Sequence, residues 1–282
     1  MSHRKIGHCR ALIGAFGIFL AQMVSSAQDD DLKMVAAGSP LAVRLAAVGK
    51  VFSGQGAALS MASGFLVSSC HVLTAGHVLA KLGEHVQLGT EVRFFPGNTR
   101  SQANSSLPVT GRVVSASEGF VMEVAPSGFN QNRIPNDWAL IELDHAISGI
   151  EPIRLLYPGA VPSSDNTYTV VGYPFGQMRQ GLFAQEHCRN WSGSHGGVSL
   201  NGILIADCAV KSGMSGGPIL LDDDNLVVAA GIAVERFTIG QKIMTIGVPV
   251  AAFAEKIEAV MRNSDICAVG APFVWPETPA QR

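Results

Sequence analysis

Charge is scarce in this sequence, and no stretch of it is strongly basic. Asp, Glu, Lys and Arg together make up 15% of the 282 residues, with 20 basic side chains against 22 acidic ones. Without a basic stripe there is no electrostatic footprint for a phosphate backbone, so nucleic acid is excluded as a partner. Long apolar runs are missing after the first 27 residues, so nothing beyond them reads as a membrane span. Closely spaced Cys or His pairs of the kind that hold zinc do not occur. Asp222-Asp223-Asp224-Asn225 lacks the spaced oxygen ligands of a calcium loop and reads as a solvated hairpin turn. No metal and no cofactor are expected.

What is present begins with a three-part leader. Arg4, Lys5 and Arg10 precede the apolar run ALIGAFGIFLAQMV, and Ser25-Ser26-Ala27 supplies small residues before QDDD. This is the pattern of a secretory signal peptide, residues 1–27, and the apolar run is shorter than the roughly 20 residues a membrane span needs. Cleavage there removes three positive charges and no acids, moving the formal net charge from −2 to −5. The mature chain is expected to be secreted or periplasmic, monomeric and free of the membrane. Cys70, Cys188, Cys208 and Cys267 then remain in a compartment where disulfides persist. Four cysteines allow three connectivities, and the sequence does not choose among them. Cys188–Cys208 closes the shorter loop and is the preferred pair, leaving Cys70 and Cys267 by exclusion.

Residues 28–41 are polar and punctuated by Gly and Pro, and read as a mobile leader or short propeptide. From residue 42 short apolar runs alternate with turn residues, the signature of an all-β barrel or sandwich. The runs are 64–68, 71–74, 86–94, 109–116, 138–143, 168–172, 202–206, 218–221, 226–234 and 242–248. Residues 149–167 are the most loop-like interior stretch. The chain therefore divides into an N-terminal unit (42–150), a linker (151–167), a C-terminal unit (168–262) and a tail (263–282). In PVAAFAEKIEAVMRN, apolar residues recur at i, i+3 and i+4, which predicts a helix packing on the sheet body.

Residues 211–220, KSGMSGGPIL, set a serine among glycines. Alone this is a glycine-rich turn. A serine becomes a nucleophile only with a general base, usually histidine, and a carboxylate that orients the base. All histidines of the mature chain precede Ser215, which rules out the G-x-S-x-G elbow of α/β-hydrolases, where the histidine follows. His77 stands where an apolar strand ends in Thr74-Ala75-Gly76. Asp137 opens the buried-looking strand NDWALIELD, where a carboxylate is costly unless hydrogen-bonded. His71 is read as structural or on the surface, and Asp144 as a surface residue.

TAGH around His77, DWALIEL around Asp137 and GMSGGP around Ser215 resemble, in this order, the three active-site motifs of chymotrypsin-like serine proteases. The resemblance covers residues 42–262, and GFLVSSCHVLTAGHV and VVGYPFG are more similar to the bacterial glutamyl-endopeptidase-like branch. It implies two six-stranded antiparallel β-barrels with a C-terminal helix. It also implies a Ser215–His77–Asp137 triad, an oxyanion hole at Gly213 and Ser215, and a protein or peptide substrate. The implied activity is that of a serine endopeptidase working through an acyl-enzyme. A catalytically inactive binding protein of the same fold is the alternative.

Departures from the family pattern concern specificity and activation. Met214 replaces the aspartate that pairs with a freed N-terminus in trypsin-like members. In the specificity pocket, Ala209 stands where trypsin has an aspartate, and Ala233 where glutamyl endopeptidases have a histidine. These argue for a small or apolar residue before the scissile bond. Val234 replaces a serine that hydrogen-bonds the family's aspartate, so Asp137 is expected to find donors among backbone N–H groups near His77. Lys211 replaces a common cysteine, and reads as a solvated loop lysine or a residue of the pocket rim.

Overall fold

The computed structural model describes residues 31–54, 59–97, 107–123, 132–156, 158, 165–191, 194–195, 198–199, 202–222, 227–239 and 242–266. The expected signal peptide, residues 1–27, and Cys267 lie outside them. Among the described residues no helix is long and apolar enough to cross a membrane.

The described chain starts with β1 (Lys33–Met34) and the short helix α1 (Pro40–Arg44). Ser39 caps α1 by accepting a hydrogen bond from the Ala42 N–H at 3.1 Å, and Pro40 supplies the preset first helical φ. Six strands follow: β2 (Val48–Ser53), β3 (Ser60–Leu66), β4 (His71–Thr74), β5 (Glu91–Phe95), β6 (Val109–Ala116) and β7 (Ala139–Leu143). They close into a barrel in the order β2-β3-β4-β7-β6-β5, which removes every exposed sheet edge. In β5 the alternation is plain, with Val92 and Phe94 turned inward and Glu91 and Arg93 outward. All of β4 is buried, as its run of HVLT implies.

The second half contains β8 (Arg154–Leu155), β9 (Thr167–Gly172), β10 (Phe183–Arg189), the small ribbon β11 (Ser194–His195) with β12 (Val198–Ser199), and β13 (Leu204–Ala206). It continues with β14 (Pro218–Leu221), β15 (Val228–Ile239) and β16 (Lys242–Pro249). Its main sheet runs β1-β10-β9-β14-β15-β16-β13, and β8 pairs with β15. The end of β10 meets β13 through one bridge, Asn190 opposite Ala206, flanked by a 2.8 Å bond from the Trp191 N–H to the Ile205 carbonyl. Six antiparallel strands thus wrap round on themselves, with β1 and β8 added at the margins. The Cys188–Cys208 disulfide spans this seam, and its 20-residue loop is worth about 3 kcal/mol by loop entropy. Cys70 is also disulfide-bonded and fully buried, but the expected pairing with Cys267 lies outside the described residues.

The helix α2 (Ala254–Arg262) buries Ala254, Ile257 and Met261. Just before it, Phe253 packs on Trp138 with ring centroids 5.8 Å apart. One cluster of buried side chains runs from the first barrel through Trp138 and Phe253 to Ile232 and Val248 of β15 and β16, so the two halves share a core.

Three expectations need correction. The described part of the leader is not loose: Lys33 and Met34 pair with Ala184 and Phe183, and Leu32 and Val35 are buried. The polar residues around that strand hide it, because pairing rather than periodicity holds it. The linker likewise contributes β8, docked parallel to β15 at Val228 and Ala229. The predicted run 86–94 shortens to β5, because a turn with a bond from Thr90 N–H to the Gln87 carbonyl precedes it. β2 and β10 escape the sequence pattern; Lys50 interrupts the apolar run of one, and a register shift between Gln185 and Cys188 that of the other.

Candidate active site

His77 and Asp137 are 60 residues apart, yet strand register makes them neighbours. β4 and β7 are antiparallel, with Thr74 opposite Ala139, so the end of one strand lies beside the start of the other. His77 follows in a 3-10 turn, Gly76–Val78, while Asp137 closes another, Ile134–Asn136, just before β7. The Asp137 carboxylate accepts two hydrogen bonds from His77, one from ring Nδ1 and one from the backbone N–H, each at 2.8 Å. The backbone donor predicted for Asp137 is therefore the N–H of His77 itself. Asp137 is 3% exposed, and Gly76 packs so closely that a Cβ there would come within 3.2 Å of its Oδ1. Asn136 steadies the turn by accepting a 2.6 Å bond from the Ser117 hydroxyl.

The His77 side chain is 24% exposed. Burial pulls its pKa down and is the largest influence, but the Asp137 charge and hydrogen bond outweigh it. The net result is a pKa raised above the ordinary histidine value, with smaller opposing contributions from Arg133 and Glu235.

Ser215 lies in the turn that leads into β14. Its carbonyl accepts a 2.9 Å bond from the Ser63 N–H of β3, and Gly216 N–H bonds the Ala233 carbonyl of β15 at 2.8 Å. Gly216 has φ +83°, and a Cβ there would meet the Ser63 carbonyl oxygen at 2.2 Å and the Ala75 nitrogen at 2.9 Å. Only glycine fits, and the turn is pressed against the segment that carries His77 two residues further on.

Ser63 is a residue to which the sequence does not point. Its hydroxyl donates to the Gly213 carbonyl and accepts from the Tyr173 N–H, both at 2.8 Å, while Thr74 Oγ1 donates to its carbonyl at 2.8 Å. A fully buried serine in an apolar strand is the one signal of its role. Across the turn, the Ser212 carbonyl accepts from Phe175 N–H at 2.6 Å and the Met214 carbonyl from Gly217 N–H at 3.0 Å. In a trans peptide the C=O and N–H point opposite ways, so the amides of Gly213 and Ser215 face away from those donors. Gly213 itself has φ +94°.

A cavity of about 210 Å³ opens beside Ser215. Val210, Lys211 and Ser212 line one side, and Ala233, Val234, Glu235 and Arg236 the other. Ala233, Val234 and Lys211 are thus among the residues lining this cavity. Ala209 is not: it is fully buried with its N–H on Gln185 Oε1 at 2.7 Å, and its neighbour Val210 lines the cavity. Met214 is wholly buried. His71 is structural rather than on the surface, with Nδ1 2.8 Å from Ser68 Oγ. Asp144 is a surface residue bonded by Thr110. Of the acidic turn only Asp222 is described; it accepts a 2.6 Å bond from Thr169. Among the described residues, no three His, Cys, Asp or Glu side chains are grouped to hold a metal.

A closed six-stranded barrel, a second wrapped sheet and a short C-terminal helix define the chymotrypsin-like fold. The chain belongs to the trypsin-like peptidase family, whose domain model matches residues 62–229. It is similar to "Putative protease Do-like 3, mitochondrial" of Arabidopsis thaliana, 28% identical over 190 residues, 65% of this chain. That match spans only 27% of the curated relative's length. Among solved structures it is similar to Glu endopeptidase in complex with MPD, at 19% identity and a TM-score of 0.56, covering 81% of this chain and 95% of that one. It is also similar to the scabies mite inactivated protease paralogue S-I1, at 16% identity and a TM-score of 0.57, covering 79% and 96%. Such distant likenesses establish the fold alone, and one of them is to an inactivated protein, so activity has to be argued from the site.

Proposed function

We propose that this protein is an exported serine endopeptidase that hydrolyses peptide bonds through an acyl-enzyme on Ser215. The observation that carries the reading is the doubly bonded His77–Asp137 pair beside the glycine-bound turn of Ser215. With Nδ1 committed to Asp137, Nε2 is the nitrogen left to serve the serine.

In the proposed reaction Ser215 Oγ attacks the carbonyl carbon while His77 Nε2 takes the hydroxyl proton. The oxyanion lies against the Gly213 and Ser215 amides, each such donor being worth roughly 3 kcal/mol in comparable sites. Collapse breaks the C–N bond, and His77 returns the proton to the leaving amine. Water, deprotonated by His77, then attacks the ester carbon, and as the Ser215 Oγ–acyl bond breaks His77 hands that proton to Ser215 Oγ, releasing the acid and the free serine. Asp137 stays ionised throughout and stabilises the imidazolium. The small cavity with Ala233 at its wall suits a small or apolar residue before the scissile bond. Export is supported by the leader and by the Cys188–Cys208 disulfide.

The test is covalent labelling by a fluorophosphonate, read by intact mass. One adduct on the wild type, absent in Ser215→Ala, is expected. A properly folded wild type that takes no adduct, and cleaves no peptide library, would favour the inactive binding protein instead.

A further inference from the structure

Arg133 and Glu235 belong to opposite halves of the molecule. Arg133 opens the 3-10 turn that ends in Asp137, and Glu235 lies on β15 among the residues lining the cavity beside Ser215. Their side chains meet across the cleft, Arg133 Nη2 to Glu235 Oε2 at 3.5 Å. The pair is sheltered, with side-chain exposures of 14% and 30%, and the guanidinium also lies over the Phe120 ring at 5.9 Å. Shelter of this kind separates it from the freely solvated surface pairs whose net effect is small.

We propose that Arg133 and Glu235 form a cross-cleft positioning pair that ties the Asp137 turn to the pocket strand and balances the charge His77 faces. The proposal rests on the reading of His77 as the general base. The charged groups acting on His77 are Asp137 and Arg133 from the segment before β7, and Glu235 from β15. Lys211 and Arg236 are the other charged side chains lining the cavity. Arg133 disfavours the imidazolium and Glu235 favours it, so the two act on His77 in opposite directions. Breaking the pair from either side exposes His77 to one uncompensated charge, and the sign depends on which partner remains. An ordinary structural strap has no such signature.

The experiment has two readouts on the wild type, Arg133→Met, Glu235→Gln and the double variant. One is the pH dependence of the fluorophosphonate labelling rate. The other is an NMR titration of the His77 imidazole in a Ser215→Ala background, which needs no activity. Glu235→Gln is expected to move the His77 midpoint to lower pH, and Arg133→Met to higher pH. The double variant titrates between the two single variants but labels several-fold more slowly, because the tie is lost. Arg133→Lys keeps the charge and the midpoint, and serves if Arg133→Met melts too early to titrate. Single variants that shift the midpoint in the same direction, or not at all, overturn the proposal. A wild type that titrates as expected but never labels refutes the protease reading while leaving the charge pairing standing.

Discussion

Asp137 holds His77 at two points, through the ring Nδ1 and through the backbone N–H, both at 2.8 Å. Two bonds to one residue fix both the position of the turn and the tautomer of the ring. Asp137→Asn retains the shape but replaces one acceptor by an NH2 group. The neutral imidazole is then driven toward the wrong tautomer, and the imidazolium loses its counter-charge. Turnover on a peptide ester should fall on the order of 10³–10⁴-fold with KM nearly unchanged, following the worked serine-protease triad. A loss under tenfold would mean that Asp137 does not orient the base.

Gly216→Ala should be far more damaging than its one methyl suggests. The backbone sits at φ +83°, and the new Cβ would meet the Ser63 carbonyl oxygen at 2.2 Å and Thr74 Oγ1 at 2.3 Å. Backbone cannot yield as a flexible side chain does, so the Ser215 turn must leave its seat. The expected result is loss of fluorophosphonate labelling with at least about 2 kcal/mol of destabilisation in urea. A variant that labels at the wild-type rate would show that the turn is not seated on β3.

Ser63→Ala tests the hub beneath that turn. It leaves the buried Tyr173 N–H without its side-chain acceptor and the Gly213 carbonyl without the hydroxyl donor. One such buried loss costs about 1–3 kcal/mol. Because Gly213 is in the turn, turnover should drop along with stability while substrate binding changes little. Unchanged melting and unchanged turnover together would remove Ser63 from the supporting structure.

Acid should loosen the fold through His71. Burial is the main influence on this residue and lowers its pKa from 6.5 to about 4, against a smaller raising effect of Glu142. Below pH 6.5 the unfolded chain binds a proton that the folded chain refuses, so stability is full above that pH and falls toward pH 4. The shift corresponds to at most about 3 kcal/mol. His77 works the other way: its raised pKa favours the folded state below the unfolded value, and that contribution is lost as pH rises through the folded one. Urea titrations at pH 4.5 and 7 should show a smaller difference for His71→Gln than for the wild type. Equal differences would mean His71 is not the acid-sensitive group.

Much of the site is legible in the order of amino acids alone, because its chemistry is carried by residue types that are rarely placed together by chance. A serine among glycines, a histidine after a strand and an aspartate before one are local signals. The apolar runs of β4 and β14 likewise announce themselves, since a buried strand needs little beyond its own side chains to be recognised. The docking of β1 and β8 has no such signal. Two-residue strands have no periodicity, and their partners at Phe183–Ala184 and Val228–Ala229 lie far along the chain.

The sequence by itself determined the order His77, Asp137, Ser215 and the alternation of apolar runs and turns of an all-β chain, while its resemblance to the serine-protease family implied, through Val234, the need for another donor to Asp137. Tertiary structure decided which donor that is, that Val210 rather than Ala209 faces the cavity, and that Ser63 anchors the Ser215 turn. It also set Arg133 against Glu235 across the cleft. The reason is physical. Identity and spacing limit what a segment can do locally, whereas a hydrogen bond or ion pair between distant segments depends on strand register, which only the assembled barrels fix.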